Sequence, residues 1–140
     1  MSNDLMRREI KEAIDAGERA LVSLRAAQDQ LASARNWGIA DMLGGGIFIS
    51  LMKRNRMDKA SSCMEQAKHD LTILQRELKD VQVPMDMKLE ISGFLDFADF
   101  FFDGLIADWF VQDKINKAGK QVEEAIFRVQ NILKDLRGLY

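Results

Sequence analysis

A chain of 140 residues that is 47% hydrophobic and 30% charged is about one domain long and can fill a single core, which excludes an intrinsically disordered segment. Basic residues number 20 against 22 acidic ones, for a net charge of −2, so the molecule as a whole offers nucleic acid no general attraction and no nucleic-acid partner is expected. Cys63 is the sole cysteine, which excludes an internal disulfide and suits a reducing compartment.

The opening residues, MSNDLMRREIKEA, are charged and patterned like a helix rather than a signal peptide, so a cytoplasmic location is expected. Ser2, Asn3 or Asp4 can cap a first helix over residues 4–35. Along it Ile10, Ala13, Gly17, Ala20, Leu24, Ala27, Leu31 and Ala34 recur at alternating steps of three and four. That spacing lines one apolar seam on one helix face and sets neighbouring helices at shallow crossing angles, as in a coiled coil. Alternate seam positions, Ala13, Ala20, Ala27 and Ala34, are small and let a partner helix come close, with Ile14 and Leu21 widening the stripe. The plainer explanation is that alanine is the best helix former.

Next comes NWGIADMLGGGIFISLMKRNR, residues 36–56. Asp41 would cap a short apolar helix over 41–53, with Gly44 in its first turn and Gly45 and Gly46 just beyond. Each glycine inside a helix costs about 0.5–1 kcal/mol relative to alanine. Three together point to close backbone contact with another helix, here with the region of Gly104. A phosphate loop is the sharper alternative, but no strand precedes the glycines, no Gly-Lys-Ser/Thr follows, and Asp41 would repel an anion. Residues 42–52 are also too few to span a bilayer, which takes about 20.

A second long helix is expected over 56–82, ended by Pro84, with Met57, Ala60, Met64, Ala67, Leu71, Leu74, Leu78 and Val81 in its seam. A shorter one follows near 90–112, and a third long one over 114–137 carries Ile115, Ala118, Val122, Ala125, Val129, Ile132, Leu136 and Leu139. Gly138 sits where that last helix would fray. The expectation is an all-α bundle of long heptad-patterned antiparallel helices with two shorter apolar helices at one end.

At an offset of 58 residues, Ala40-Asp41 matches Ala98-Asp99, Gly46 matches Gly104, and Lys59-Ala60 matches Lys117-Ala118, while Glu65, Ala67 and Leu78 match Glu123, Ala125 and Leu136. The shared order suggests an internal repeat. One helical domain is therefore expected over 1–140, with an N-terminal helix in 1–38, a first repeat in 39–83 and a second in 97–140.

The stretch GFLDFADFFFDGLIADWFV holds six of the eight phenylalanines. Phe101, Phe102 and Trp109, with Trp37 from the N-terminal helix and Phe48 from the first repeat, are the candidate interaction residues, because Phe and Trp are enriched at interface cores. Complete internal packing of these rings is the competing reading. Asp96, Asp99 and Asp103 fall at i, i+3 and i+7, one stripe of a helix. A solvated face explains them most simply, and pairing with Lys53, Arg54 and Arg56 is the more specific reading.

Trp37-Gly38-x-x-Asp41-x-x-Gly44-Gly45-Gly46, followed by Phe97-Ala98-Asp99-Phe100-Phe101-Phe102-Asp103-Gly104 and Asp108-Trp109, resembles a group of uncharacterised bacterial helical proteins with a tryptophan-aspartate-triglycine signature. The resemblance covers roughly residues 36–125. It implies a bacterial intracellular protein and a helical fold, and it implies no activity.

Residues for catalysis are sparse. His69 is the lone histidine, so no shell with two histidines forms within one chain. Glu65 and His69 share a helix face, a spacing typical of a surface contact, and Cys63 lies six residues from His69, off that face. No catalytic, metal or cofactor residues are expected. The leading expectation is a non-enzymatic helical interaction module that self-associates or docks a partner protein. The alternative is a peripheral membrane protein using residues 42–52 and the adjacent Lys53, Arg54 and Arg56.

Overall fold

The computed structural model describes the backbone of residues 2–42, 47–104 and 112–140, and the side chains of residues 4–33, 59–99 and 117–140. These form four helices, α1 (Ser2–Met42), α2 (Ile47–Asp80), α3 (Met85–Gly104) and α4 (Gln112–Leu139), with no strand among the described residues. The fold is an all-α bundle. α1 packs against both α2 and α4, and α3 packs against α4 and α2.

The separate short helix expected over 41–53 is absent. Asp41 and Met42 close α1, and Ile47 to Lys53 open α2. The physical reason lies in the flanks. Between Ala34 and Met42 the lone Gly38 is the weak helix former, a cost of about 1 kcal/mol that a long helix absorbs. From Ile47 to Met57 there is neither Gly nor Pro to delay the start of α2. Asp41 thus lies in the last turn of α1 rather than capping a following helix.

Pro84 does set a boundary. α2 stops at Asp80, residues 81–84 are non-helical, and the Pro84 carbonyl accepts the first backbone hydrogen bond of α3, from Lys88 N at 3.0 Å. Proline fits there because it has no N–H to leave unpaired and its fixed φ suits a helix entry. Asp86 in the first turn of α3 complements the positive end of the helix dipole.

The core follows from the spacing of apolar residues. Ile10, Ala13, Ala20, Leu24, Ala27 and Leu31 of α1 are buried, as are Ala60, Met64, Ala67, Leu71, Leu74 and Leu78 of α2 and Ala118, Val122, Ala125, Val129, Ile132 and Leu136 of α4. Ile14 and Leu21 are buried beside the first seam, as expected of a widened stripe. Leu139 departs from the pattern and is 39% exposed. α3 adds Ile91, Phe94 and Ala98 from one face. At Gly17 an added Cβ would lie 2.7 Å from Leu133 Cδ2, so the small residue sets how near α4 approaches α1.

Candidate interaction site

Most of the residues singled out by sequence lie outside those whose side chains the structure describes. This holds for Trp37, Phe48, Phe101, Phe102 and Trp109, for Gly44, Gly45, Gly46 and Gly104, and for Asp103, Lys53, Arg54 and Arg56. The two aspartates that are described are both exposed. Asp99 Oδ1 accepts a hydrogen bond from Gln75 Nε2 of α2 at 3.1 Å, so its partner in this structure is a neutral amide. Two rings of the aromatic stretch serve the interior: Phe94 is fully buried and Phe97 is partly buried against the core. His69 and Glu65 are exposed.

The site that the described residues do assemble lies between α3 and α4. Glu90 and Phe94 from α3 and Glu124, Phe127, Arg128, Asn131 and Ile132 from α4 line a cleft of about 220 Å³. Phe94 and Ile132 form its apolar floor, since both are buried. Phe127 stands at its side with 63% of its surface exposed, an unusual allowance for a phenylalanine. Residue 127 falls between the seam positions Ala125 and Val129, which turns it away from the α1 side of α4.

Electrostatics divide this cleft. The Arg128 guanidinium lies 5.0 Å from the Phe97 ring centroid and donates through Nε and Nη2 to Glu124 Oε1 at 3.2 and 3.0 Å. It is therefore held in place and its charge is spent on Glu124. Glu90 instead meets another acid, Asp135, one turn beyond Ile132 on α4. A hydrogen bond between the two carboxyls, slight desolvation, and the charge of Asp135 push the Glu90 carboxyl up to about 7. The ion pairs among the described residues are Arg128–Glu124 and Arg137–Glu18, so neither Glu90 nor Asp135 has a cation there.

A second polar contact is buried between α1 and α2. Ser23 Oγ donates to Asp70 Oδ2, and Gln66 Nε2 donates to Asp70 Oδ1 at 3.2 Å. Ser23 and Asp70 are the buried polar residues of the described core, each 8% exposed. Sequence reading passed over both, and also over Phe127, Glu90 and Asp135. The available signal for Asp70 was an acid directly beside the seam residue Leu71.

At the N-terminal end of α3, Met6, Ile10, Gln82, Val83, Pro84, Lys88 and Leu139 surround an open groove of about 630 Å³. It continues into one of about 450 Å³ through Met6, Ile10 and Leu139. Arg7 flanks it and donates from Nη2 to the Tyr140 carbonyl at 3.3 Å.

Among the described residues no three or more His, Cys, Asp or Glu side chains gather so as to hold a metal ion. No described helix is long and apolar enough to cross a membrane. The chain matches no family model, no curated protein and no solved structure.

Proposed function

We propose that the chain is a non-enzymatic helical interaction module that self-associates or docks a partner protein. The observation that carries this reading is the apolar surface beside the α3–α4 cleft and along α3. Phe127, Met85 and Leu89 are 63%, 69% and 70% exposed, and Met85 and Leu89, one turn apart, share a face of α3. Met85 and Leu89 form an exposed apolar pair on α3 and Phe127 a separate exposed ring on α4, and apolar surface left outside a core marks interaction surfaces.

The proposed architecture is a set of antiparallel, heptad-patterned helices with an internal repeat. In support, Arg7 meets Tyr140 and Gly17 meets Leu133, contacts that run in opposite chain directions along α1 and α4. Glu90 with Asp135 and Phe97 with Arg128 relate α3 and α4 in the same manner. Residues matched at the offset of 58 also share their environments. Ala60, Ala67, Leu71 and Leu78 are buried like Ala118, Ala125, Val129 and Leu136, while Lys59 and Glu65 are exposed like Lys117 and Glu123.

Sedimentation velocity over a range of concentrations tests the function. The expected outcome is concentration-dependent mass, weakened in a Phe101→Ala/Phe102→Ala variant by more than its melting temperature falls. A monomer at every concentration ends the self-association form. A monomer that floats with anionic liposomes moves the assignment to a membrane surface.

A further inference from the structure

We infer that the groove at the N-terminal end of α3, together with the apolar ridge beside it, is a two-fold interface for a second copy of this chain. The inference rests on reading the chain as an interaction module. It commits that module to self-association at a named surface, at the opposite end of α3 from Phe101 and Phe102.

The shape of the surface argues for a partner like itself. Pro84 and Lys88, one turn apart, form one wall of the open groove, and Met6, Ile10 and Leu139 supply apolar lining from α1 and α4. Met85 and Leu89 each follow a wall residue by one position, which sets them about 100° further round α3 as a ridge beside the groove. They are the residues 69% and 70% exposed. A groove of about 630 Å³ falls within the roughly 300–1,000 Å³ that holds a whole small molecule, so two apolar side chains fit it. An isologous interface uses the same patch on both subunits, so the patch must complement itself. A ridge next to a groove meets that condition. A two-fold axis between them lays Met85 and Leu89 of each copy in the groove of the other.

The charges agree with the shape. Arg7 is engaged within the chain, its guanidinium 5.5 Å from the Tyr140 ring centroid and bonded to the Tyr140 carbonyl. Asp4 and Lys88 are the other charged residues that line the joined grooves. Neither belongs to an ion pair among the described residues. A strongly acidic or strongly basic partner would be opposed by one of the two. A second copy suits both, since Asp4 of each copy then meets Lys88 of the other. The result is an apolar centre with charge at its rim, the ordinary anatomy of a protein interface.

The test uses the whole chain in sedimentation velocity at low salt, with methyl NMR spectra over a dilution series. The parent should pass from monomer to dimer as concentration rises, and the methyl signals of Met6, Met85, Leu89 and Leu139 should move together. Met85→Ser/Leu89→Ser, at exposed positions whose change should leave the melting temperature in place, should weaken the dimer about tenfold or more. Asp4→Lys and Lys88→Glu set like charges opposite each other, and each alone should weaken it about threefold or more. Mixed one to one, those two variants should form a heterodimer of parental strength, because each supplies the sign that the other has lost. A merely structural defect gives no such rescue. A parent monomer at every concentration, an unchanged dimer in the Met85→Ser/Leu89→Ser variant, or a mixture no heavier than its separate components would overturn the interface. A dimer lost only in Phe101→Ala/Phe102→Ala places self-association at the other end of α3, and this interface alone is then wrong. A parent monomer that floats with anionic vesicles sinks the interaction-module reading as well.

Discussion

At the scale of single residues, Glu90 makes the stability of the bundle depend on pH. Its carboxyl is held up to about 7 by the hydrogen bond to Asp135, by desolvation and by that neighbour's charge. Between its ordinary value of 4.5 and about 7 the folded chain binds more protons at Glu90 than the unfolded chain does. Its stabilising contribution is therefore complete below about 4.5 and is lost as the pH rises towards about 7. Glu90→Gln removes the repulsion and keeps the shape, so the variant should melt above the parent at pH 8 and lose that advantage at pH 5. Glu90 is exposed, and screening holds the gain to about 1 kcal/mol or less, on the order of 4 °C or less in a domain of this size. Circular dichroism melts at the two pH values measure it. A pH-independent difference would mean that the two carboxyls do not meet. None of this was legible in the sequence. Glu90 and Asp135 are 45 positions apart, and only the docking of α3 on α4 brings them together.

Among the elements, α1 and α4 are coupled through a glycine that helix propensity disfavours. A Cβ at Gly17 would sit 2.7 Å from Leu133 Cδ2 and 3.1 Å from Leu133 Cγ. Gly17→Val must push α4 away or force Leu133 from its rotamer, which costs about 1–3 kcal/mol. Gly119 is the contrasting case, with nothing within 4 Å of an added Cβ. Gly119→Ala should stabilise the chain by about 0.5–1 kcal/mol through helix propensity alone. Urea denaturation of both variants should shift the midpoint in opposite directions, and a stabilised Gly17→Val would show that α1 and α4 do not touch there. The sequence placed Gly17 in the seam but could not say which helix it faced, because three helices carry seams of similar spacing. It also divided 41–53 from its neighbours by giving the capping chemistry of Asp41 more weight than the helix-compatible residues on both sides.

For the molecule as a whole, the apolar seams were the most legible feature, since steps of three and four residues are a local property that packing preserves. Leu71 and Val129 are fully buried in two of them. Leu71→Asp or Val129→Asp places an unpaired charge in the core and removes an apolar side chain there, losses of several kcal/mol together. Against a total stability of about 5–15 kcal/mol, each variant should lose much or all of its cooperative melting transition by circular dichroism. A melt within a degree or two of the parent would refute the burial. Phe127 was harder to read because a large apolar residue off the seam looks like any surface residue until a neighbouring helix builds a cleft beside it. Repeating seams also create an ambiguity that apolar contacts cannot resolve. Ala13, Ala20 and Ala27 are all buried, so sliding α2 along α1 by seven residues, about 10 Å, meets almost the same surface. The hydrogen bond from Ser23 to Asp70 distinguishes the two arrangements. Displaced one way, Asp70 would meet Ala16, which offers no side-chain donor, and a buried acceptor left unpaired costs about 1–3 kcal/mol or more. Displaced the other way it would meet Gln30, whose amide can donate, but the Ser23 hydroxyl would be left behind. One serine and one aspartate thus act as a notch and a key, selecting a single alignment of two long helices that their alanines would allow to slide.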